Sequence, residues 1–167
     1  MVARTLVLGL GNPLLSDDGV GIAVARALRP RVAGRADVTV EEEYHGGLRL
    51  MERMVGYERV ILIDAIQTGA PPGTLHHMTP GSLPTQHSAS PHDVNLPTAL
   101  ALGRQAGAAL PPDEHVLVLG VEAEVVLDFG EQLSPPIQRA LPAIVEAALE
   151  LLERGARAAV GARPPTA

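Results

Sequence analysis

The chain has 167 residues, of which 46% are hydrophobic and 19% charged, and this composition suits one globular domain with one core. Its formal net charge is -6 and it has no basic run, which argues against nucleic-acid binding. The absence of Cys excludes disulfides, thiolate zinc sites and a cysteine nucleophile. No apolar run approaches the roughly 20 residues that a membrane helix needs, so we expect a soluble cytoplasmic protein.

Strands are predicted to alternate with helices along the whole chain. Residues 4–10, "RTLVLGL", form an apolar run typical of a strand buried on both faces. Ser16 offers an N-cap to the first helix, whose apolar periodicity extends to Leu28 and which Pro30 is expected to end. Further strands are predicted at residues 37–44, 59–65, 74–78 and 115–121, and further helices at residues 46–54, 93–106 and from Ser134 onward, with Ser134 as the N-cap of the last helix.

This alternation predicts an α/β fold, a three-layer α/β/α sandwich around a mostly parallel twisted sheet of about five strands. We expect a single domain over residues 1–157 and a flexible tail over residues 158–167. Residues 79–92 are rich in Pro, Ser, Thr and His without periodicity, which is typical of a long functional or mobile loop. Ligands of open parallel sheets bind outside the carboxyl ends of the strands, so that edge is where functional residues are expected.

The first candidate motif is the glycine-rich segment "GLGNPLLSDDG", which directly follows the first strand. A dinucleotide fingerprint would need a third Gly where Leu14 stands, and the chain has no Lys for a P-loop, so a nucleotide-binding regulator fits poorly. Asp17 alone is interpreted as a helix-start charge that favours the helix dipole. The adjacent pair of Asp17 and Asp18 is less easily explained, because neighbouring like charges cost free energy unless a cation lies nearby.

Two further side chains are predicted at the same edge. Asp64 lies at the end of the buried segment "VILIDA", where it either accepts from loop amides or converges with Asp18 on a cation. His92 precedes a helix that Asp93 is expected to cap, and a helix N-terminus favours the neutral imidazole that binds metals, although a lone loop His is more often a surface residue. Two carboxylates and one imidazole suit Ni, Zn, Fe or Mn, so the residues alone indicate a metal-dependent α/β enzyme, such as a hydrolase.

The ordered set of motifs resembles the hydrogenase maturation endopeptidases over nearly the whole chain. The segments are "VLGLGNPLLSDDGVG", "VILIDA", "PPGT", "SPHDVNL", "LGVEAE" and the "LSP" that opens the last helix. The resemblance implies an aspartic-type, nickel-dependent endopeptidase that removes a C-terminal extension from a nickel-iron hydrogenase large-subunit precursor after nickel insertion. It implies that Asp18, Asp64 and His92 recognise nickel supplied by the substrate and carry out a metal-mediated hydrolysis. A divalent metal such as zinc or cadmium could substitute for nickel in a crystal.

One segment departs from the family pattern. The chain reads "EEEYHGGLRL" after the second strand, with Leu48 where many members carry the Thr of a "GGT"-like turn. We expect this change to alter which large subunit is accepted, and His45 is an alternative extra metal ligand. No general base is singled out, and Asp17 and Asp93 are the candidates. Four residues are expected to contact the substrate: Glu43, His45, Asp93 and Glu124.

Two other functions stay open at this point. A metal-dependent hydrolase with its own tightly bound metal would be purified with stoichiometric metal. A non-cleaving nickel-sensing maturation chaperone would leave the precursor intact. The expected partner is the large-subunit precursor, with no nucleic acid and no membrane, and the acidic surface without an obvious apolar stripe favours a monomer. The partner surface is expected in the loops at residues 43–48, 66–73, 79–92 and 122–133.

Overall fold

The computed structural model describes residues 3–82 and 94–161, with side chains as far as Arg154. Within these residues one sheet contains five strands, ordered β2-β1-β3-β5-β4. Neighbouring strands are parallel except for β4, which pairs antiparallel with β5 at one edge. The predicted five-stranded, mostly parallel sheet is confirmed. The strands are β1 (Thr5–Leu10), β2 (Val38–Glu43), β3 (Arg59–Ile66), β4 (Leu75–Met78) and β5 (Val116–Glu122).

Helices cover both faces of the sheet. In the described part of the chain they are α1 (Val20–Arg31), α2 (Gly47–Met54), α3 (Leu96–Gln105) and α4 (Pro135–Gly161). Helices α1 and α4 pack into one apolar cluster, and α2 and α3 pack into a second one. Ile61 of β3 belongs to the first cluster and the next residue, Leu62, to the second, because successive strand residues point to opposite faces. The sheet therefore lies between two helical layers, as predicted.

The first strand and the first helix approach each other closely because both carry glycine at the contact. A Cβ on Gly9 would overlap the carbonyl oxygen of Gly21, and a Cβ on Gly21 would overlap the carbonyl oxygens of Leu10 and Ile63. The N-terminal turn of α1 can therefore lie directly against the carboxyl-terminal parts of β1 and β3. This contact places the loop that precedes α1 over the edge where ligands are expected.

The start of the first helix differs from the prediction. Ser16 opens a 3₁₀ turn, Ser16–Gly19, and Gly19 takes the N-cap position of α1. Ser16 has a φ of 50°, outside the extended region that an N-cap residue adopts. Its hydroxyl donates instead to the carbonyl oxygen of Gln132, 3.1 Å away. The prediction that Ser16 caps the helix is therefore wrong.

Two other helix ends also differ. Pro30 lies inside α1, which continues to Arg31, because a Pro in the last turn removes only one N–H donor from the helix. Helix α3 begins at Leu96, and the side chain of Asn95 caps it by accepting from the amide of Thr98 at 3.0 Å. The prediction that Asp93 caps this helix is therefore wrong, and Asp93 itself lies outside the described residues.

The last helix runs to Gly161, beyond the expected domain boundary at residue 157, while residues 162–167 lie outside the described chain. The division into a domain and a tail stays a prediction. Of the predicted loop at residues 79–92, the described part contains a 3₁₀ turn, Pro80–Ser82, and the remainder lies outside the description. None of the helices in the described ranges is long and apolar enough to cross a membrane.

Candidate functional site

The strand order creates a crevice between β1 and β3. The chain leaves β1 toward β2 on one side of the sheet, and it leaves β3 toward β4 and β5 on the other. The carboxyl ends of β1 and β3 therefore flank the topological switch point, where open α/β sheets bind their ligands. The Ser16–Gly19 turn contacts β3 at this edge and carries both candidate aspartates.

Asp17 is the buried aspartate of the turn, with an exposed fraction of 0%. Its carboxylate accepts from the amides of Glu124 and Val125, both at 3.0 Å. It also accepts from the amide and the hydroxyl of Ser134, at 2.7 and 2.8 Å. These donors occupy the carboxylate, so Asp17 ties the loop after β5 to the turn after β1. Ser134 lies at the predicted N-cap position of α4, where its carbonyl accepts from the amide of Gln138, while its hydroxyl donates to Asp17.

Asp18 is the half-buried aspartate of the same turn and lies on its outer side. One carboxylate oxygen, Oδ2, accepts from the amide of Asn12 at 2.8 Å. Burial raises the pKa of Asp18 above its ordinary value, although the Asn12 hydrogen bond acts in the opposite direction. Gly11, at a φ of 144°, makes this geometry possible because a Cβ there would overlap the carbonyl oxygen of Asp18. A partly desolvated carboxylate that accepts one hydrogen bond from the described residues is a group that a cation would stabilise.

Asp64 lies in the most buried strand of the sheet. It is 4% exposed, and its register partner on β5 is Gly120. It alternates with Ile63 and therefore points to the face covered by α2 and α3, as Leu62 does. The structure thus places Asp18 and Asp64 at the same edge, around the switch point between β1 and β3.

The third predicted ligand, His92, lies outside the described residues, as does Asp93. Across residues 3–82 and 94–161, no three His, Asp or Glu side chains form a group able to hold a metal ion. The triad of Asp18, Asp64 and His92 therefore stays a prediction. Its two carboxylates offer oxygen ligands, and the imidazole would add a nitrogen, a mixture that suits nickel or zinc.

The end of β2 forms a second cluster beside the loop after β1. Glu43 is 3% exposed and accepts from the amides of Tyr44 and His45, at 2.9 and 3.0 Å, and from Arg53 Nε at 2.9 Å. Burial acts to raise the pKa of Glu43, but Arg53 and the His45 and Tyr44 donors lower it below its ordinary value. The amide of Gly11 donates to the Glu43 carbonyl, which joins this cluster to the candidate site.

The side chains that this cluster exposes are those of Tyr44 and His45. Nδ1 of His45 lies 3.1 Å from Glu43 Oε1, while 55% of the His45 side chain is exposed. The Glu43 carboxylate is occupied by internal donors, so a partner that reaches this surface would meet Tyr44 and His45. The predicted substrate contacts of Glu43 and His45 stay predictions.

A buried carboxylate that the sequence analysis did not single out is Glu122, which ends β5. It is 2% exposed and accepts from the amide and hydroxyl of Thr68, at 2.7 and 2.8 Å, and from the amide of Gly69 at 3.0 Å. Burial acts to raise the pKa of Glu122, but these donors and His76 lower it below its ordinary value. Glu122 therefore fixes the loop after β3.

Glu122, like Asp64, is an acidic residue near the end of an apolar strand. This pattern is the sequence signal that could have identified Glu122. The neighbouring Glu124, chosen from the sequence, has an exposed side chain and uses its backbone amide to bind Asp17. Its expected contact with substrate stays a prediction.

Known proteins resemble this chain in sequence and in architecture. Residues 22–151 match the family model described as hydrogenase maturation protease. The hydrogenase expression/formation protein HoxM of Azotobacter vinelandii is 33% identical over 158 residues, which cover 92% of this chain and 75% of that protein. The HupD protein of Thiocapsa roseopersicina, also described as a hydrogenase expression/formation protein, is 31% identical over 150 residues, which cover 88% of this chain and 66% of that protein.

A solved structure, the hydrogenase maturating endopeptidase HybD from E. coli, superimposes with a TM-score of 0.73 at 26% identity. The superposition covers 90% of this chain and 93% of HybD. The fold is therefore that of a maturation endopeptidase, and the resemblance inferred from the motifs is confirmed. The chain belongs to the hydrogenase maturation protease family.

Proposed function

We propose that this chain is a cytoplasmic endopeptidase that removes the C-terminal extension of a nickel-iron hydrogenase large-subunit precursor after nickel insertion. Its membership of the hydrogenase maturation protease family supports peptide hydrolysis as the reaction. The proposal further assigns nickel recognition to Asp18, Asp64 and His92, with the nickel supplied by the substrate.

The observation that carries this proposal is the state of Asp18. Its carboxylate lies on the turn that contacts β3 at the switch point, is half-buried and, among residues 3–82 and 94–161, accepts from the amide of Asn12 alone. The raised pKa of Asp18 means that its charge is poorly stabilised in the isolated protein. A metal-loaded precursor would bring the missing positive charge. Its neighbour Asp17 cannot take this role, because four donors already occupy its carboxylate.

The chemistry follows from the ligand types. Asp18, Asp64 and His92 would orient the substrate's nickel against the scissile peptide. Nickel held there would polarise the scissile carbonyl or lower the pKa of the attacking water. Water then adds to the carbonyl carbon, the C–N bond breaks and a proton passes to the leaving amine. Cleavage would thus depend on correct nickel loading, because a precursor without nickel lacks the activating charge.

Mass spectrometry of the cognate large-subunit precursor tests this function. The nickel-loaded and nickel-free precursors are each incubated with the wild-type protein and with Asp18→Ala, Asp64→Ala and His92→Ala. Asp113→Ala is the matched control, because Asp113 is an exposed aspartate next to the amino end of β5, at the opposite edge of the sheet. The metal content of the purified protein is measured in parallel.

We expect one defined C-terminal peptide to be released from the nickel-loaded precursor by the wild type and the control. Each of the three site variants should release it at least about 100-fold more slowly, which corresponds to about 2.7 kcal/mol of transition-state stabilisation. Full-rate cleavage of nickel-free precursor would contradict the nickel role. An intact precursor in every sample would contradict the endopeptidase, and stoichiometric metal in the purified protein would favour a hydrolase with its own metal.

A further inference from the structure

The loop between β5 and α4 carries the most exposed large apolar side chains in the described chain. Phe129, which is the protein's single Phe, is 91% exposed, and Leu127 is 83% exposed. Leu14, on the loop after β1, is 52% exposed. A single exposed apolar residue is ordinary in a folded protein, whereas a group of neighbouring ones marks an interaction surface. We call Leu14, Leu127 and Phe129 the apolar patch.

The backbone that carries the apolar patch is held in place. The amide of Gly130 donates to the carbonyl of Leu14 at 2.9 Å, and the amide of Ser16 donates to the carbonyl of Gly130 at 2.8 Å. These bonds put Leu14 and Phe129 on adjacent segments. Asp17 fixes both ends of the loop through the amides of Val125 and Ser134. Apolar side chains on a preorganised loop lose less conformational entropy when they bind a partner.

The apolar patch is continuous with the candidate active site. The side-chain oxygen Oδ1 of Asn12 accepts from the amide of Leu14 at 3.0 Å, and the amide of Asn12 donates to the Asp18 carboxylate at 2.8 Å. The amide of Asp18 also donates to the carbonyl of Leu15. A protein segment bound on the patch would therefore lie beside Asp18.

The charges around the apolar patch identify the chemistry of its partner. The loop exposes three acidic side chains, and the sequence has no Arg, Lys or His between His115 and Arg139. Complementary charge requires a partner segment that combines apolar and basic side chains. The acidic residues are Glu124, Asp128 and Glu131.

A second copy of this chain fits the patch poorly. It would bring the same acidic side chains against each other, and like charges in an interface cost free energy. Three apolar side chains also expose on the order of 300 Å², well below the roughly 800 Å² per partner of a stable interface. The partner must therefore supply contacts beyond this patch, as a large protein substrate does.

We propose that Leu14, Leu127 and Phe129 dock an apolar and basic segment of the hydrogenase large-subunit precursor, and so hold its C-terminal extension beside Asp18. This proposal rests on the endopeptidase function proposed above. The patch supplies binding energy remote from the reacting bond, so its loss should affect KM more than kcat.

The test compares the wild type with the double variant Leu127→Ser, Phe129→Ser. Leu102→Ser is the matched control, because Leu102 is also exposed, at 45%, but lies on α3 and outside the candidate site. Cleavage of nickel-loaded precursor gives kcat and KM for each protein. Equilibrium binding to the same precursor is measured separately, and sedimentation gives the oligomeric state. Thermal unfolding confirms that each variant is folded.

We expect the double variant to raise KM, and to weaken binding, by about tenfold or more, with kcat within about twofold and the control unchanged. An unchanged KM in the double variant would overturn the docking role while leaving the endopeptidase intact. If the wild type binds the precursor but does not cleave it, the proposed function fails, and tenfold weaker binding by the double variant still supports docking. A wild type that does not bind, or a dimer that the double substitution dissociates, overturns the docking proposal.

Discussion

The inner and outer sides of the Ser16–Gly19 turn carry the same residue type in opposite states. On the inner side, Asp17 is fully buried and four donors occupy its carboxylate. On the outer side, Asp18 is half-buried, accepts one hydrogen bond in the part of the chain that the structure describes, and has a pKa that burial raises. Two adjacent aspartates thus differ in burial and in the hydrogen bonds that they accept from the described residues. The first stabilises the fold, and the second is the carboxylate that we propose binds a ligand.

Buried carboxylates hold the loops that surround the candidate site. Asp17 joins the loop after β1 to the loop after β5, and Glu122 in the same way joins β5 to the loop after β3. Buried carboxylates thus fix the loops around the crevice, and the partly satisfied Asp18 is presented from this rigid frame. A group held in a poorly stabilised state costs stability and is therefore a candidate for function.

The substitution expected to change stability most is at Asp17, on the inner side of the turn. Asp17→Asn replaces an acceptor-only carboxylate by an amide whose NH₂ group faces other donors. The free energy of unfolding should fall by about 3 kcal/mol or more, because buried donors lose a charged partner. Urea unfolding followed by circular dichroism measures it, with Asp113→Asn as the exposed control. If the free energy of unfolding fell by less than about 1 kcal/mol, Asp17 would not be an anchor of these loops.

A second buried anchor should behave similarly and add a pH dependence. Glu122→Gln should lower the free energy of unfolding by about 2 kcal/mol at pH 7. The pKa of Glu122 is lowered in the folded protein, so its stabilisation is present above the ordinary Glu pKa of about 4.3 and is lost as pH falls through the lowered value. The difference between wild type and variant should therefore shrink on acidification. A difference that grew in acid would contradict this assignment.

Ser134→Ala tests how much of the stabilisation at Asp17 comes from one of its four donors. Ser134→Ala removes the hydroxyl that donates to Asp17 and leaves the three backbone amides in place. We expect a loss of about 1 kcal/mol in urea unfolding, the net value of one hydrogen bond. Ser134→Thr keeps a hydroxyl and serves as the control. A loss equal to that of Asp17→Asn would mean that the hydroxyl alone provides the anchor.

The smallest expected effect has the opposite sign. The raised pKa of Asp18 means that its ionised form is unfavourable in the folded protein, so metal-free Asp18→Asn should be slightly more stable than wild type at pH 7, by no more than about 1 kcal/mol. The gain should vanish as pH falls below about 4, where Asp18 is protonated in both states. Unfolding curves at pH 7 and at low pH decide this. A clear destabilisation at pH 7 would make Asp18 another structural carboxylate.

Much of the fold could be predicted from the sequence. Buried strands such as "RTLVLGL" and "RVILIDA" are continuous apolar runs, and their alternation with helical periodicity leaves few topologies. The helix ends were less predictable, because tertiary contacts changed the role of the capping residue. Ser134 precedes a helix as an N-cap should, yet its hydroxyl donates to Asp17, which is distant in sequence.

The candidate site was predicted only in part for a related reason. The motif identified Asp17 and Asp18 together, but nothing local in "SDDG" tells which side chain points inward. That distinction depends on the amides of residues 124, 125 and 134, which the fold brings to the turn. The loop at residues 122–133 was expected to contact the partner, but no local pattern indicates that Phe129 is 91% exposed, because the exposure of a loop side chain depends on how the fold places the loop.

The rate of precursor cleavage by Asp18→Asn is the most direct test of the account. Mass spectrometry would follow nickel-loaded large-subunit precursor at pH 7, alongside the unfolding free energy of the same preparation. We expect cleavage to be reduced at least about 100-fold in a protein at least as stable as the wild type. Cleavage within about twofold of the wild-type rate would contradict it, because the carboxylate left available at the switch point would then have no part in the reaction.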